Sequence, residues 1–230
     1  MFTQIYSIQT VEEALLCIEA KADAIGIACN VEGLQIPAGI TIEEGKRIFE
    51  AIGERAWKVA LTVADNEADI WPLVSALPMD VLHVCGNHYI ATPSFVKELK
   101  ARYPQLRLLQ AIPMVDETAF DLAVALSEYC DFLILDSVAP GIDGVGAAGI
   151  THDWAISKRI VDALADSPCR VILAGGLGPD NVIDAIRTVN PWGVDSFTKT
   201  SVPIGNGKSR KDAELVRRFI ENAKKFSEEK

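Results

Sequence analysis

Apolar residues along this chain gather in short dense runs. The runs fall at Phe2–Ile8, Ala24–Ala28, Lys58–Val63, Val81–Val84, Leu106–Ile112, Phe132–Asp136, Arg170–Ala174 and Gly193–Ser196. Most are apolar on both faces, which predicts parallel strands covered by helices, since antiparallel strands with one wet face would alternate. Between them apolar positions recur at helical spacing. In Val11–Ala20, residues Val11, Ala14, Leu15 and Ile18 share a face opposite Glu12, Glu13 and Glu19. Thr10 with Glu13 three residues on predicts a capping box. Similar segments are Ile42–Ile52, Glu67–Ala76, Ser94–Arg102, Glu117–Glu128, Asp153–Ala165, Asn181–Val189 and Asp212–Phe226. Strand and helix alternate throughout, which predicts the α/β class and a single (β/α)8 TIM barrel over residues 1–230. A doubly wound sheet alternates in the same way, but its first strand usually leads into a glycine-rich dinucleotide turn. Here Tyr6-Ser7-Ile8-Gln9 holds no glycine.

Composition narrows the function. At 230 residues and 49% hydrophobic, the chain suits one barrel of roughly 200 to 250 residues. A formal net charge of −10 with no basic stripe argues against nucleic acid and anionic membranes as partners. Cys17, Cys29, Cys85, Cys130 and Cys169 are odd in number and form no CxxC pair. Neither a disulfide framework nor a zinc site is expected, and a reducing cytoplasm is. No leader-like N-terminus and no run of about 20 apolar residues is present, so no membrane span is expected. The charged Lys224–Lys230 end is expected to fray.

Active sites of such barrels lie at the carboxyl ends of the strands, and phosphate commonly sits on the loops after the seventh and eighth. Asp136 closes the run Asp131-Phe132-Leu133-Ile134-Leu135-Asp136 and precedes the glycine-rich stretch Pro140–Gly149. It is read as a site-lining carboxylate, against the simpler role of a loop cap. After the seventh strand, Gly175 and Gly176 let backbone N–H groups approach an anion. After the eighth, Ser196, Thr198, Thr200 and Ser201 surround Lys199, a set of donors suited to a phosphate. The plainer reading makes the glycines a turn and Lys199 a solvated lysine. Asp195 is expected to orient the phosphate loop through backbone hydrogen bonds.

The chain resembles the phosphoribosylanthranilate isomerase family, of tryptophan biosynthesis, over nearly its whole length. The matching stretches are Glu12-Glu13-Ala14-Leu15 with Ala22-Asp23-Ala24-Ile25-Gly26, Leu135-Asp136, Thr151-His152-Asp153-Trp154, Ala174 to Val182 and Pro191-Trp192-Gly193-Val194-Asp195. The resemblance implies an Amadori rearrangement, in which an acid protonates the sugar ring oxygen and a base removes the C2 proton of the resulting imine. Asp136 matches the family's acid. The family's base is a cysteine in Lys-Ile-Cys-Gly on the first strand, where this chain has Gln4-Ile5-Tyr6-Ser7. A tyrosine with a pKa of about 10 is a poor base at neutral pH.

Two further departures follow. The segment Cys29 to Ile40 lacks the arginine that the family places near the anthranilate carboxylate. The family's Gln-Leu-His-Gly reads His83-Val84-Cys85-Gly86, so the imidazole lies two positions earlier on the same strand face. His83 is therefore a candidate base or a hydrogen-bonded core histidine, Cys85 a base or a small buried hydrophobe, and Tyr6 a site-lining group or core filler. His88 and His152 are explained by capping or exposure. The expected function is acid–base isomerisation of a phosphorylated sugar or related phosphometabolite, on phosphoribosylanthranilate or another substrate. The alternative is a silent protein that binds a phosphorylated ligand. Neither metal nor organic cofactor is expected, and a homodimer is compatible with the fold.

Overall fold

Eight short strands pair in chain order, each parallel to the next, and the first closes on the last. The computed structural model describes residues 1–30, 38–86, 89–138, 144–206 and 208–228. Its barrel strands are β1 (Phe2–Ile5), β2 (Ala24–Ala28), β3 (Trp57–Thr62), β4 (Val81–Val84), β5 (Arg107–Pro113), β6 (Phe132–Asp136), β7 (Arg170–Leu173) and β8 (Gly193–Ser196). The covering helices are α1 (Val11–Glu19), α2 (Ile42–Ile52), α3 (Glu67–Ala76), α4 (Pro93–Arg102), α5 (Thr118–Leu126), α6 (Trp154–Ala163), α7 (Val182–Val189) and α8 (Ala213–Glu228). This is the (β/α)8 barrel that the apolar runs predict. No helix among the described residues is long and apolar enough to cross a membrane.

The apolar residues divide into two cores, as alternation along a strand requires. One lies between barrel and helices, with Ile5, Leu82, Leu133, Leu135 and Val194 pointing outward against Phe49, Phe95 and Phe219. The other fills the barrel. Its amino-terminal end is stoppered by aromatic rings, with Phe2 stacked on Trp192 at 4.4 Å between centroids and Trp57 and Phe132 beside them. The Arg107 guanidinium lies over Trp57 at 4.5 Å. Only the carboxyl-terminal end is left for a site.

Local departures from the sequence pattern have local causes. Strand β1 stops at Ile5 because Ser7 adopts a left-handed φ of 59°. The capping box predicted for α1 is half formed. Thr10 Oγ1 accepts from Glu13 N at 3.2 Å, but the Glu13 carboxylate accepts from Gln9 N and Lys211 N, both at 2.8 Å. The complete box belongs to α2, between Thr41 and Glu44. Between β8 and α8 lies an antiparallel hairpin that the apolar pattern does not predict, β9 (Ser201–Gly205) with β10 (Lys208–Lys211). It follows a 3-10 turn at Thr198–Thr200.

Candidate active site

Strand parity decides which side chains face the barrel interior. In β6, Leu133 and Leu135 point outward and Phe132 and Ile134 inward, so Asp136 takes the inward position at the strand's end. The same alternation turns Tyr6, His83, Cys85 and Asp195 inward. Because the strands are parallel, these ends emerge together. All five line one cavity of about 620 Å³, open to solvent, whose other walls include Ala28, Leu61, Val63, Val145 and Phe197.

Two carboxyls face this cavity. Asp136 Oδ1 accepts from Ser137 N at 2.7 Å. Gly146 (φ 108°) lies so close that a Cβ there would sit 2.3 Å from Asp136 Oδ2. Exclusion of water by the barrel wall pushes the Asp136 carboxyl up to about 7, although the Ser137 N–H opposes the rise. Asp195 is 6% exposed and accepts from Gln4 Nε2 at 3.1 Å. Burial first, and then the charge of Asp136, push its carboxyl up to about 8.

The neutral groups complete the wall. Tyr6 Oη and His83 Nδ1 are 2.8 Å apart, with the rings edge-on at 5.3 Å. The Tyr6 ring lies against Gly26, where a Cβ would fall 2.6 Å from Cζ. Burial, then Asp195 and Cys85, hold the Tyr6 phenol well above its ordinary range. Burial pulls His83 down to about 3, and its Nε2 has no hydrogen-bond partner among the described residues. Cys85 Sγ donates to Val145 O at 2.7 Å, and burial pushes the thiol up to about 12. At neutral pH, Tyr6 and Cys85 therefore keep their protons and His83 stays uncharged.

A smaller cavity of about 270 Å³ adjoins the first, sharing Asp136, Ala147, Asp195 and Phe197, and is completed by Gly149, Gly175, Gly176 and Thr198. Gly175 (φ 80°) and Gly176 (φ 60°) are required there. Added Cβ atoms would lie 2.3 Å from Ser137 Oγ and 2.7 Å from the Ile150 carbonyl carbon. The Asn181 amide fixes this turn, accepting from Gly178 N at 2.8 Å and donating to Gly176 O at 3.1 Å. Beneath the loop after β8, buried Lys211 donates from Nζ to Phe197 O at 2.9 Å and to Ser201 Oγ at 3.0 Å. Burial lowers this ammonium to about 8. The result is a small, glycine-walled cavity with one carboxyl pair on its border and a buried cation behind its loop. Among the described residues, no group of three or more His, Cys, Asp and Glu side chains could hold a metal ion.

Residues 28–222 match the family model for N-(5'phosphoribosyl)anthranilate (PRA) isomerase. The chain belongs to the phosphoribosylanthranilate isomerase family. It is 34% identical to N-(5'-phosphoribosyl)anthranilate isomerase of Haloferax volcanii, covering 94% of this chain and 90% of that one. The Azotobacter vinelandii isomerase is 33% identical, over 95% of each. A crystal structure of the Thermotoga maritima isomerase shares the fold with a TM-score of 0.77 at 24% identity, covering 98% of this chain and 99% of that one.

Asp136, the glycine turn and Asp195 fall within the matched span, whereas Tyr6, just after β1, precedes it. The structure brings Asp136, Tyr6, His83 and Cys85 to one cavity, and Gly175, Gly176 and Thr198 to its neighbour. Ser196 lines the smaller cavity as well, and its Oγ donates to Leu177 O at 2.7 Å, tying the loops after β7 and β8 together. Three expectations differ from the geometry. Asp195 forms no hydrogen bond to the loop after β8 among the described residues; its carboxylate meets Gln4 inside the barrel because its inward parity turns it there. Lys199 is exposed and lines neither cavity, with its stem against Gly178. His152 is no mere cap, since its ring bridges Ser137 Oγ at 3.1 Å and Ser157 Oγ at 2.8 Å. His88 lies outside the described residues. Gln4 and Lys211 carried no signal of their own, because each acts through a partner distant in sequence.

Proposed function

We propose that this protein catalyses an acid–base isomerisation of an N-(5-phosphoribosyl)amine, as the names of its relatives suggest, with Asp136 as acid and Asp195 as base. The observation that carries the reading is the carboxyl pair on the wall shared by the two cavities. Burial and mutual repulsion keep one proton on the pair near neutrality; the two carboxyls titrate as a unit and share it, and the reactive form is the one in which Asp136 holds the proton and Asp195 is ionised. The phosphate takes the glycine-walled cavity, with Thr198 Oγ and the backbone around Gly175 and Gly176 as donors. The sugar then reaches across the carboxyls into the larger cavity.

In this scheme Asp136 protonates the ring oxygen as the C1–O bond breaks and the nitrogen lone pair forms C1=N. Asp195 removes the C2 proton and the C1=N electrons return to nitrogen. The C2–H electrons form C1=C2, and the resulting enol becomes the C2 ketone as its O–H proton returns to Asp136 and Asp195 delivers its proton to C1. Atoms and electrons balance without a cofactor. Tyr6 and Cys85 do not suit the base role because burial keeps them protonated, and the neutral His83 binds a proton too weakly. Loss of phosphoribosylanthranilate fluorescence tests the reading. Asp136→Asn and Asp195→Asn should each lower kcat by about 10² to 10⁴, while Tyr6→Phe keeps most of it. No turnover by folded wild type, or full activity in Asp136→Asn, overturns the proposal.

A further inference from the structure

One imidazole that lines neither cavity has both ring nitrogens engaged. His152, the residue before the cap of α6, holds Nδ1 3.1 Å from Ser137 Oγ and Nε2 2.8 Å from Ser157 Oγ. The partners fix its tautomer. Burial, opposed by the charge of Asp153, lowers the ring to about 4, so near neutral pH it is uncharged and carries a single N–H. Ser137 Oγ gives its own proton to Ile150 O at 2.7 Å, and toward His152 it can only accept. Nδ1–H therefore donates to Ser137 Oγ, and Nε2 accepts from Ser157, a fully buried hydroxyl on α6.

These bonds join the two ends of the connection from β6 to α6, since Ser137 opens it and His152 stands near its close. Gly146 N adds a bond to Ser137 O at 3.1 Å. The couple also packs on the glycine turn, where a Cβ at Gly175 would lie 2.3 Å from Ser137 Oγ and 2.9 Å from His152 Nδ1. Ser137 is the residue whose N–H donates to Asp136 Oδ1 at 2.7 Å, and that N–H opposes the rise of the carboxyl. Its aim depends on the plane of the Asp136–Ser137 peptide, which the two bonds at Ser137 Oγ hold from one side. We infer that His152 is a positioning residue for the acid: acting through Ser137 Oγ, its Nδ1–H keeps the Ser137 N–H on Asp136 and so fixes where the acid stands in the cavity. The inference rests on the role proposed above for Asp136.

His152→Ala removes the clamp, and a carboxylate that loses a donor holds its proton more tightly. The expected result is a kcat lower by about 10- to 100-fold, with the alkaline limb of the kcat/KM profile moved up by at least about half a pH unit as the carboxyl pair keeps its shared proton longer. Ser137→Ala, which retains the backbone N–H, should give the same two changes, and the double variant no more than either alone. His152→Asn, whose side-chain amide N–H stands where Nδ1–H stood, should recover most of both. An NMR titration of the Asp136 side-chain carboxyl carbon, assigned by its loss in Asp136→Asn, should show the same upward shift in His152→Ala without any turnover. Ser137→Ala carries this test where His152→Ala does not fold. An unmoved Asp136 titration overturns the inference, as does an equal loss in His152→Asn or an additive loss in the double variant. Wild type that turns over nothing sinks the isomerase reading and leaves the titration to decide the positioning, whereas active wild type with an unmoved titration sinks the positioning alone.

Discussion

Replacing Asp136 by Asn should stabilise the protein, and the gain should depend on pH in a defined way. The carboxyl of the folded protein holds its proton to about 7, whereas a free aspartate releases it at 3.8. Because the folded pKa is the higher one, the unfolded chain loses its proton first as pH rises. Stability is therefore lost progressively from about pH 4 to about pH 7 and stays low above that. The separation is about three pH units, and each unit is worth about 1.4 kcal/mol, so the full penalty is about 4 kcal/mol. Asparagine imitates the neutral carboxyl and keeps an oxygen for Ser137 N. Urea unfolding should show Asp136→Asn ahead of wild type by about 1 to 2 kcal/mol at pH 5 and by about 4 kcal/mol at pH 8.5, with a plateau above about pH 7. Asp195→Asn should behave likewise, and the double variant should gain less than the sum because each substitution relieves the other's repulsion. A stability difference that does not change with pH would refute the reasoning, as would a destabilised Asp136→Asn at pH 8.5.

Three other substitutions follow from the geometry. Gly176→Ala forces a side chain into φ 60° and onto the Ile150 backbone. Chemical denaturation should show a loss of about 1 to 3 kcal/mol, and calorimetry should show weaker binding of inorganic phosphate. Lys211→Met removes the ammonium that donates to Ser201 Oγ and one of three side-chain donors to Phe197 O; a loss of about 1 to 3 kcal/mol is expected, with KM rising more than kcat falls. Unchanged phosphate affinity would show that the lysine does not shape that loop. Gly26→Ala drives a methyl into the Tyr6 ring and should cost about 1 to 3 kcal/mol, and Tyr6→Ala in the same chain should recover part of the loss if the ring is the obstacle.

The site was legible where one residue carries the signal alone. Asp136 stands at the end of an apolar run, and the Gly175-Gly176 pair follows another, so position within the repeating unit pointed to both. The proposed base was not legible. Tyr6, His83 and Cys85 are chemically plausible in isolation, and only their shared burial removes the charge states that the reaction needs. The hairpin β9–β10 is short and mostly exposed, with no continuous apolar face, so periodicity passed over it, although Asn206-Gly207 is a strong hairpin signal.

By itself the sequence determined the barrel, the order of its elements and the end at which chemistry takes place. Those follow from short-range periodicity, and each strand–helix unit repeats the same pattern of buried and wet positions. Tertiary structure decided the electrostatics. Gln4 meets Asp195 across 191 positions and Lys211 N meets Glu13 across 198, because barrel closure sets the first strand beside the last and the chain returns over α1. Burial is likewise a property of the assembled wall. The same Asp136 that a solvated chain ionises near 4 keeps its proton to about 7 once the barrel wall has taken away much of the water around it.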